Sequence, residues 1–190
     1  MSRRLRYAVA VSLDGYIARL DGSFDWIVMD PAIDFAAMAA EYDTAVMGRG
    51  TWDVVVSMNG ETGLGDLDVV VFSRRLPPSV EGRVRITRDD PRDVVRALKA
   101  GAGRDVWLYG GGDLFRQLLE AGLVDSVEVA VIPVLLGEGI PLLPPGVETT
   151  LTLTDHRVLP QSGIVALAYA LPGAVGPAPT IGYVKPAPQG

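Results

Sequence analysis

The chain has 190 residues, of which 48% are hydrophobic, and its formal net charge is −6. A chain of this length buries about 70% of its unfolded surface, which is enough for one well-packed domain. The acidic balance argues against a nucleic-acid or anionic-membrane partner, because either needs a basic face. The chain contains no cysteine, which excludes disulfides and thiolate metal sites and fits a reducing compartment.

The start of the chain, Ser2–Arg6, superficially resembles a secretion signal, but Asp14 interrupts the following apolar run too early. No stretch is long and apolar enough to span a bilayer. The single histidine, His156, and the carboxylates lack metal-ligand spacing, so no metal is predicted. We therefore predict a soluble, cytoplasmic protein that acts on a small-molecule substrate.

Strand and helix patterns alternate in the first part of the chain. Leu5–Val11 is an apolar, β-branched run that predicts a buried strand. The polar segment Leu20–Trp26 predicts a loop over a site, and Asp30 with Pro31 predicts a helix start. Further strands are predicted at Thr44–Met47, Asp68–Phe72 and Val84–Thr87. Asp90 and Pro91 predict another helix, which Gly101 ends.

The stretch Val106–Phe115 joins an apolar strand to an amphipathic helix through Gly110, Gly111 and Gly112. Glycines allow another backbone or a ligand to approach closely, and the free N–H groups of a first helical turn can hold a phosphate. Taken alone, this turn is either a binding site for the diphosphate of a dinucleotide or a tight strand-to-helix turn with nothing bound.

The C-terminal part predicts strands only. Ser126–Val134 alternates valines with Glu128 and Ala130, as a half-buried strand does, and Thr149–Leu159 with Gly163–Leu171 predicts a hairpin. We predict a single three-layer α/β domain over residues 1–171, with a mainly parallel sheet and an antiparallel C-terminal hairpin. Residues 172–190, rich in proline and glycine, predict an irregular tail that could lie over a neighbouring chain.

Three predicted strand ends carry similar residues, namely Gly48-Arg49-Gly50-Thr51, Ser73-Arg74-Arg75 and Gly110-Gly111-Gly112. Ligands of open α/β sheets bind outside the carboxyl ends of the strands. Arg49 and Arg74, each with a hydroxyl nearby, can form a fork for a ribose 2′-phosphate. Singly, each arginine is more simply a solvated surface charge. Together they indicate a phosphorylated dinucleotide, NADPH rather than NADH.

The ordered motifs Met47–Trp52, Phe72–Arg74 and Tyr109–Phe115 resemble those of the dihydrofolate reductase superfamily. Ser12–Ala18 and Pro133–Pro141 resemble more closely one branch of it, the reductase domain of bacterial riboflavin biosynthesis and its stand-alone relatives. The resemblance extends from about Leu5 to Leu171 and implies the three-layer α/β/α dihydrofolate reductase-like fold.

The resemblance also implies residue roles. Ala10 and Ile17 would line the nicotinamide, and the loop around Asp25 and Trp26 would be a mobile flap. The remaining cofactor contacts would come from the strand ends: Gly48, Arg49, Ser73 and Arg74 toward the 2′-phosphate, and Thr51, Gly110, Gly111, Gly112, Asp113 and Leu114 at the diphosphate. Phe115 would complete the apolar cofactor pocket, and Trp26 and Tyr109 would line the substrate pocket.

The activity implied is hydride transfer from NADPH to a small heterocycle or a sugar imine attached to one, as in a 5-amino-6-(5-phosphoribosylamino)uracil reductase. Folate reductases use an acidic residue on the first helix as proton donor, a place that Asp34 or Asp30 would fill. Asp14, after the first strand, is another catalytic candidate. The alternatives are a helix cap for Asp30, a first-turn carboxylate for Asp34 and an Asp-Gly turn for Asp14.

Two departures argue against dihydrofolate as substrate. Leu67 and Asp68 stand where folate reductases carry a basic residue, and Ala130 replaces their threonine partner of the catalytic acid. A phosphoribosyl substrate would also need a basic pocket, for which Arg19 is a candidate. The alternative function is a non-catalytic NADPH-binding or ligand-sensing protein. Because relatives commonly pair, we predict a homodimer.

Overall fold

The computed structural model describes residues 3–60 and 64–181. Helices and strands alternate over most of that length. The strands are β1 (Leu5–Ser12), β2 (Tyr16–Ala18), β3 (Tyr42–Gly48), β4 (Asp68–Phe72), β5 (Ser79–Glu81), β6 (Val84–Thr87), β7 (Asp105–Gly110), β8 (Ser126–Ile132), β9 (Ile140–Pro141), β10 (Thr152–Leu159) and β11 (Ile164–Ala170). The helices are α1 (Phe35–Ala39), α2 (Arg49–Asn59), α3 (Pro91–Ala100) and α4 (Gly112–Glu120). None of these helices is long and apolar enough to cross a bilayer.

The main sheet has the strand order β10-β11-β8-β1-β7-β3-β4-β6-β5. The six strands from β8 to β6 in that order are parallel, and β11, β10 and β5 pair antiparallel at the two edges. The predicted parallel sheet with an antiparallel C-terminal hairpin is therefore confirmed. A second, two-stranded sheet of β2 and β9 was not predicted, because such short strands have no readable periodicity.

Alternate strand residues pack on opposite faces of the sheet, as the pleat requires. Leu108 of β7 belongs to the core beneath α3 and α4, whereas its neighbours Trp107 and Tyr109 pack with the α2 side chains Trp52 and Val55. The protein thus has the three layers, helix, sheet and helix, that the sequence predicts.

The predicted start of the first helix is wrong. The helix α1 begins at Phe35, and its N-cap is Asp34, whose carboxylate accepts a hydrogen bond from the Ala37 amide at 2.9 Å. Asp30 is buried instead, its Oδ1 accepts a hydrogen bond from the Ala32 amide at 2.8 Å, and the nearby Ser162 together with this amide lowers its pKa. A contact with a residue more than a hundred positions away therefore decides the role of Asp30.

The predicted start of α3 is confirmed, because the Asp90 carboxylate accepts a hydrogen bond from the Arg92 amide at 2.9 Å. The Arg92 side chain lowers the pKa of Asp90 to about 2. We expect Asp90→Ala to lower the urea midpoint of unfolding at neutral pH, because it removes the cap. A carboxylate with a lowered pKa stabilises the protein above its unfolded pKa of about 3.9. The difference from wild type should therefore shrink as pH falls toward 2; a difference independent of pH would contradict this.

The described part of the predicted tail, residues 172–181, contains no helix or strand. It packs against its own chain. Thr154 donates a hydrogen bond to the Pro179 carbonyl at 2.8 Å, and the Ile181 amide donates to Asp155 at 2.9 Å. The Ile181 side chain is buried beside the C-terminal hairpin. The rest of the predicted tail, residues 182–190, lies outside the described residues.

Candidate functional site

The carboxyl ends of the parallel strands open onto one large cleft with a volume of about 2080 Å³. Pockets for a single small molecule usually measure about 300–1,000 Å³, so this cleft has room for a cofactor and a substrate side by side. One half, called the cofactor half after the role that the sequence predicts for it, is formed by the ends of β3, β4, β6 and β7 and the starts of the helices that follow them. The other, the substrate half, is formed by β1, β2, β8 and residues 20–38.

The three strand ends singled out in the sequence converge on the cofactor half. In the sheet β7 lies next to β3, and β3 next to β4. A Cβ atom built on Gly110 would lie 3.2 Å from Thr51 Oγ1, and one built on Gly48 would lie 4.0 Å from the Gly111 nitrogen. Gly110 has a φ of 139°, which disfavours any other residue there. Glycines therefore let these turns approach one another closely.

Two helices begin at the cofactor half without a side-chain cap. The N-caps of α2 and α4 are Gly48 and Gly111, and neither has a side-chain hydrogen bond to the first turn. In contrast, α1 and α3 are capped by aspartates. The N–H groups at the starts of α2 and α4 therefore stay free to bind an anion from the cleft.

Arginines flank these two helix starts. The Arg49 guanidinium pairs with Asp53 at 3.1 Å, but its Nε is buried and, within the described residues, has no hydrogen-bond partner. Arg74 and Arg75 are exposed at the end of β4, and neither pairs with a carboxylate of the described chain. A buried, unsatisfied guanidinium nitrogen is costly, which makes an anionic ligand at Arg49 favourable.

Ser73 lies at the end of β4 and is buried. Its hydroxyl oxygen accepts hydrogen bonds from the amides of Arg75 at 3.2 Å and Leu76 at 2.9 Å. These bonds fix the turn that presents the two arginines. The hydroxyl hydrogen is not used by them, so Ser73 can donate to a ligand oxygen.

The substrate half is mainly apolar. Its floor is made of small side chains, Ala8, Ala10 and Ala130, and Trp107 forms one wall, fixed by a hydrogen bond from its Nε1 to the Ala8 carbonyl at 3.1 Å. Tyr109 also lines the cleft, and burial raises the pKa of its phenol, which stays a protonated donor. Such a surface suits a flat, uncharged ring.

A buried ion pair borders this floor. Arg6 on β1 donates to both carboxylate oxygens of Glu128 on the neighbouring strand β8, at 2.7 and 2.6 Å. Ser126 donates to Glu128 as well, and Arg6 also bonds Glu41. The alternation in β8 predicted a half-buried strand, but the Glu128 side chain is 0% exposed. This ion pair was not predicted from the sequence. The only signal for it in the sequence is that Arg6 and Glu128 carry opposite charges and each interrupts an apolar strand, because the sequence does not show that these two strands are neighbours.

The family model of the RibD C-terminal domain matches residues 3–165. The chain belongs to the RibD C-terminal domain family. This family is reductase-like and has the dihydrofolate reductase-like fold, so the resemblance to its riboflavin-biosynthesis branch is confirmed.

Individual relatives agree with membership of the RibD C-terminal domain family. The chain is 31% identical over 178 residues to the uncharacterized protein YyaP of Bacillus subtilis, covering 88% of this chain and 94% of YyaP. It is 33% identical over 142 residues to the riboflavin biosynthesis protein RibD of Mycobacterium tuberculosis, covering 67% of this chain and 41% of RibD. The chain thus spans less than half the length of RibD.

A solved structure shows the same architecture. A protein from Shewanella sp. PV-4, provisionally named a riboflavin biosynthesis protein, superposes with a TM-score of 0.75 at 26% identity. The match covers 90% of this chain and 99% of that one.

Most residues that the sequence assigned to a site line the cleft of this RibD C-terminal domain. They are Ala10, Ile17, Gly48, Arg49, Thr51, Ser73, Arg74, Tyr109, Gly110, Gly111, Gly112, Asp113 and Leu114.

Phe115 and Trp26 do not line the cleft. Phe115 lies on the buried face of α4 and stacks on Tyr7 with ring centroids 4.1 Å apart. Trp26 is buried with Ile132 and Ile164, next to the C-terminal hairpin. Both are core residues here, because the helix face and the loop that carry them turn toward the sheet.

The two predicted catalytic aspartates, Asp14 and Asp34, are also not among the residues that line the cleft, although Ile33 and Phe35 on either side of Asp34 are. Asp14 accepts hydrogen bonds from Ser12 at 2.6 Å and from the Gly137 amide at 2.7 Å, and these bonds, that from Ser12 foremost, lower its pKa. It therefore ties the turn after β1 to the loop before β9. Asp34 caps α1. Both thus match the structural alternatives considered for them, a turn and a helix-start carboxylate.

Proposed function

We propose that the chain is an NADPH-dependent reductase that transfers a hydride to a small heterocyclic or ribosylamino substrate, in the manner of a 5-amino-6-(5-phosphoribosylamino)uracil reductase. The observation that carries this proposal is the convergence of three glycine- and arginine-bearing strand ends on one half of a single cleft. Membership of a reductase-like family supports it.

The cofactor half fits a phosphorylated dinucleotide. Thr51 and the Gly110–Gly112 turn would hold the diphosphate, using the uncapped starts of α2 and α4. Arg49, Ser73 and Arg74 would bind the 2′-phosphate, which would also satisfy the buried Arg49 Nε. NADPH, when bound, supplies the hydride. Ala10 and Ile17 would line the nicotinamide, and the apolar floor at Ala10 and Ala130 would hold the acceptor ring against it and exclude water.

Dihydrofolate remains a poor candidate for the substrate. Leu67 is buried, and Asp68 pairs with Arg83 at 2.9 Å on the surface, so neither replaces the basic residue of folate reductases.

A non-catalytic NADPH-binding protein is the second candidate, and one observation favours it. Asp14 and Asp34 do not line the cleft, and Glu128 is fully engaged by Arg6 and Ser126. Both candidates bind NADPH, but only the reductase oxidises it when substrate is added. The test follows the loss of NADPH absorbance with 5-amino-6-(5-phosphoribosylamino)uracil, with its unphosphorylated form and with dihydrofolate. NADPH binding without oxidation by any of them supports the second candidate.

Arg49→Ala should weaken NADPH binding selectively. Hydrogen bonds to charged groups contribute about 1.5–3 kcal/mol, so the dissociation constant for NADPH should rise about ten- to a hundredfold. The constant for NADH, which lacks the 2′-phosphate, should change little. Both constants can be measured by fluorescence titration of the reduced cofactors. Arg83→Ala is the matched control, because Arg83 is an exposed, ion-paired arginine outside the cleft lining. Equal weakening of both cofactors would refute a phosphate contact.

The homodimer and the cytoplasmic location stay predictions. The edge strand β10 exposes Leu153 and Val158, which a second copy of the chain would cover. Sedimentation equilibrium measures directly whether the protein is a homodimer.

A further inference from the structure

The two halves of the cleft differ in the basic residues that line them. All arginines that line it lie on the cofactor half: Arg49, Arg74, Arg75, Arg88, Arg92 and Arg116. On the substrate half, no lysine or arginine within residues 3–60 and 64–181 lines the cleft. The charged side chains that do line it there are acidic, namely Asp21, Asp25 and Glu128.

Arg19, the basic residue expected to serve a phosphoribosyl substrate, does not supply the missing charge. It is exposed, lies outside the cleft lining and donates to Asp25 at 2.8 Å. With Asp21 also nearby in the chain, this rim presents more negative than positive charge. A phosphate arriving here would meet repulsion.

Arg6 cannot supply the charge either. It lies on the same face of β1 as Ala8 and Ala10 but outside the cleft lining, is 2% exposed, and shares its guanidinium among Glu128, Glu41 and Asp105. Four of its five N–H donors are already used by these carboxylates, and the side chain is too deeply buried to reach an anion in the cleft. The floor beside it, made of Ala8, Ala10 and Ala130, offers no polar side chain.

Moving a phosphate from water into such a surface is unfavourable, because a buried charge without a partner carries a large desolvation penalty. An uncharged or cationic ring between the alanine floor and Trp107 carries no such penalty. We propose that the substrate half takes an unphosphorylated heterocycle, uncharged or cationic, and discriminates against a phosphoribosyl substrate. This inference rests on the proposed function, since it assigns the substrate of the same cleft.

A matched pair of ligands tests the inference: 5-amino-6-ribosylaminouracil with and without its 5′-phosphate. Binding of each to the protein saturated with NADP⁺ is measured by calorimetry, so that no turnover is needed. We expect the unphosphorylated ligand to bind about tenfold more tightly or better, as expected when one ligand must bury an unpaired charge. Turnover of each with NADPH should follow the same order in kcat/KM.

A substitution at the mouth of the substrate half adds the missing charge. Met29 lines the cleft there and is 70% exposed, so Met29→Lys should not disturb folding. Met29→Gln, of similar length but uncharged, is the reference, because it removes the same methionine from the cleft lining. Relative to Met29→Gln, Met29→Lys should bind the phosphorylated ligand about fivefold more tightly, an effect that high salt removes, with no such gain for the unphosphorylated ligand.

The outcomes separate the inference from the proposed function. If the phosphorylated ligand binds wild type as tightly as its partner, or if neither ligand binds, the inference is overturned. If the unphosphorylated ligand binds preferentially but no NADPH is oxidised, the substrate assignment stands and the reductase activity fails. If only the phosphorylated ligand is reduced, the reductase stands and the inference falls.

Discussion

Replacing Arg6 by methionine is expected to lower the free energy of unfolding by about 3–5 kcal/mol. Arg6 is 2% exposed and Glu128 is 0% exposed, so the variant leaves a carboxylate buried without its main partner. Burial disfavours the Arg6 cation, but its hydrogen bonds with Glu128 outweigh that effect and raise the pKa of Arg6. Arg6 therefore stays cationic in the folded protein. Since the free energy of unfolding of small proteins is about 5–15 kcal/mol, the variant would lose much of the total stability.

Pairing this change with Glu128→Leu should recover most of the loss, because an apolar pair of similar volume replaces a buried ion pair at little cost. Glu128→Gln alone should cost less than Arg6→Met, since Arg6 keeps Glu41 and Asp105. Urea unfolding of wild type, Arg6→Met, Glu128→Gln, Glu128→Leu and Arg6→Met/Glu128→Leu measures each free energy, and the test of additivity uses the two single variants that make up the double one. Losses that simply add in the double variant would show that the two residues do not interact, contrary to the structure.

The elements predicted correctly are those whose signals are local. Asp68–Phe72 and Val84–Thr87 are apolar runs within the parallel sheet, and the structure has strands with the same bounds. The cap and proline at the start of α3 lie within one turn of the helix they start. Asp30 and Pro31 carry the same local signal, yet the helix begins only at Phe35, because Asp30 is buried beside Ser162 and its Oδ1 accepts from the Ala32 amide in a turn. Tertiary contacts decided this case, and a local pattern does not contain them.

The site, too, was predicted where the signals are local and missed where tertiary contacts decide. The glycine and arginine motifs each follow a strand, and parallel strands bring their carboxyl ends to one edge, so Arg49, Ser73 and Gly111 were predicted to share a cleft and do line one. Which way Phe115 or Glu128 points depends on the layer covering each face of the sheet. The sequence shows neither the strand order nor that covering layer. The roles of the cleft residues toward NADPH stay predictions until binding is measured.

Gly112→Ala should disturb both the fold and the cofactor half of the cleft. Gly112 is the first residue of α4, and a Cβ atom there would lie 2.7 Å from the Pro141 carbonyl oxygen and 3.1 Å from Pro144 Cδ. The near contact is backbone of β9, which is held by its pairing with β2, so it cannot move away as a flexible side chain would. Overpacking of this kind costs about 1–3 kcal/mol of unfolding free energy.

Gly50→Ala is the matched control. Gly50 lies in the first turn of α2, where a Cβ atom would meet nothing within 4 Å and φ is not positive. Alanine should therefore stabilise the helix there by up to about 1 kcal/mol. Thermal unfolding should show a lower midpoint for Gly112→Ala and a higher one for Gly50→Ala. Titration of Gly112→Ala with NADPH then tests whether α4 binds the cofactor. If α4 holds the diphosphate, Gly112→Ala must lose NADPH affinity even at temperatures where it is fully folded, because relieving the clash moves the N–H groups that bind the anion. Unchanged affinity in the folded variant would place the diphosphate elsewhere.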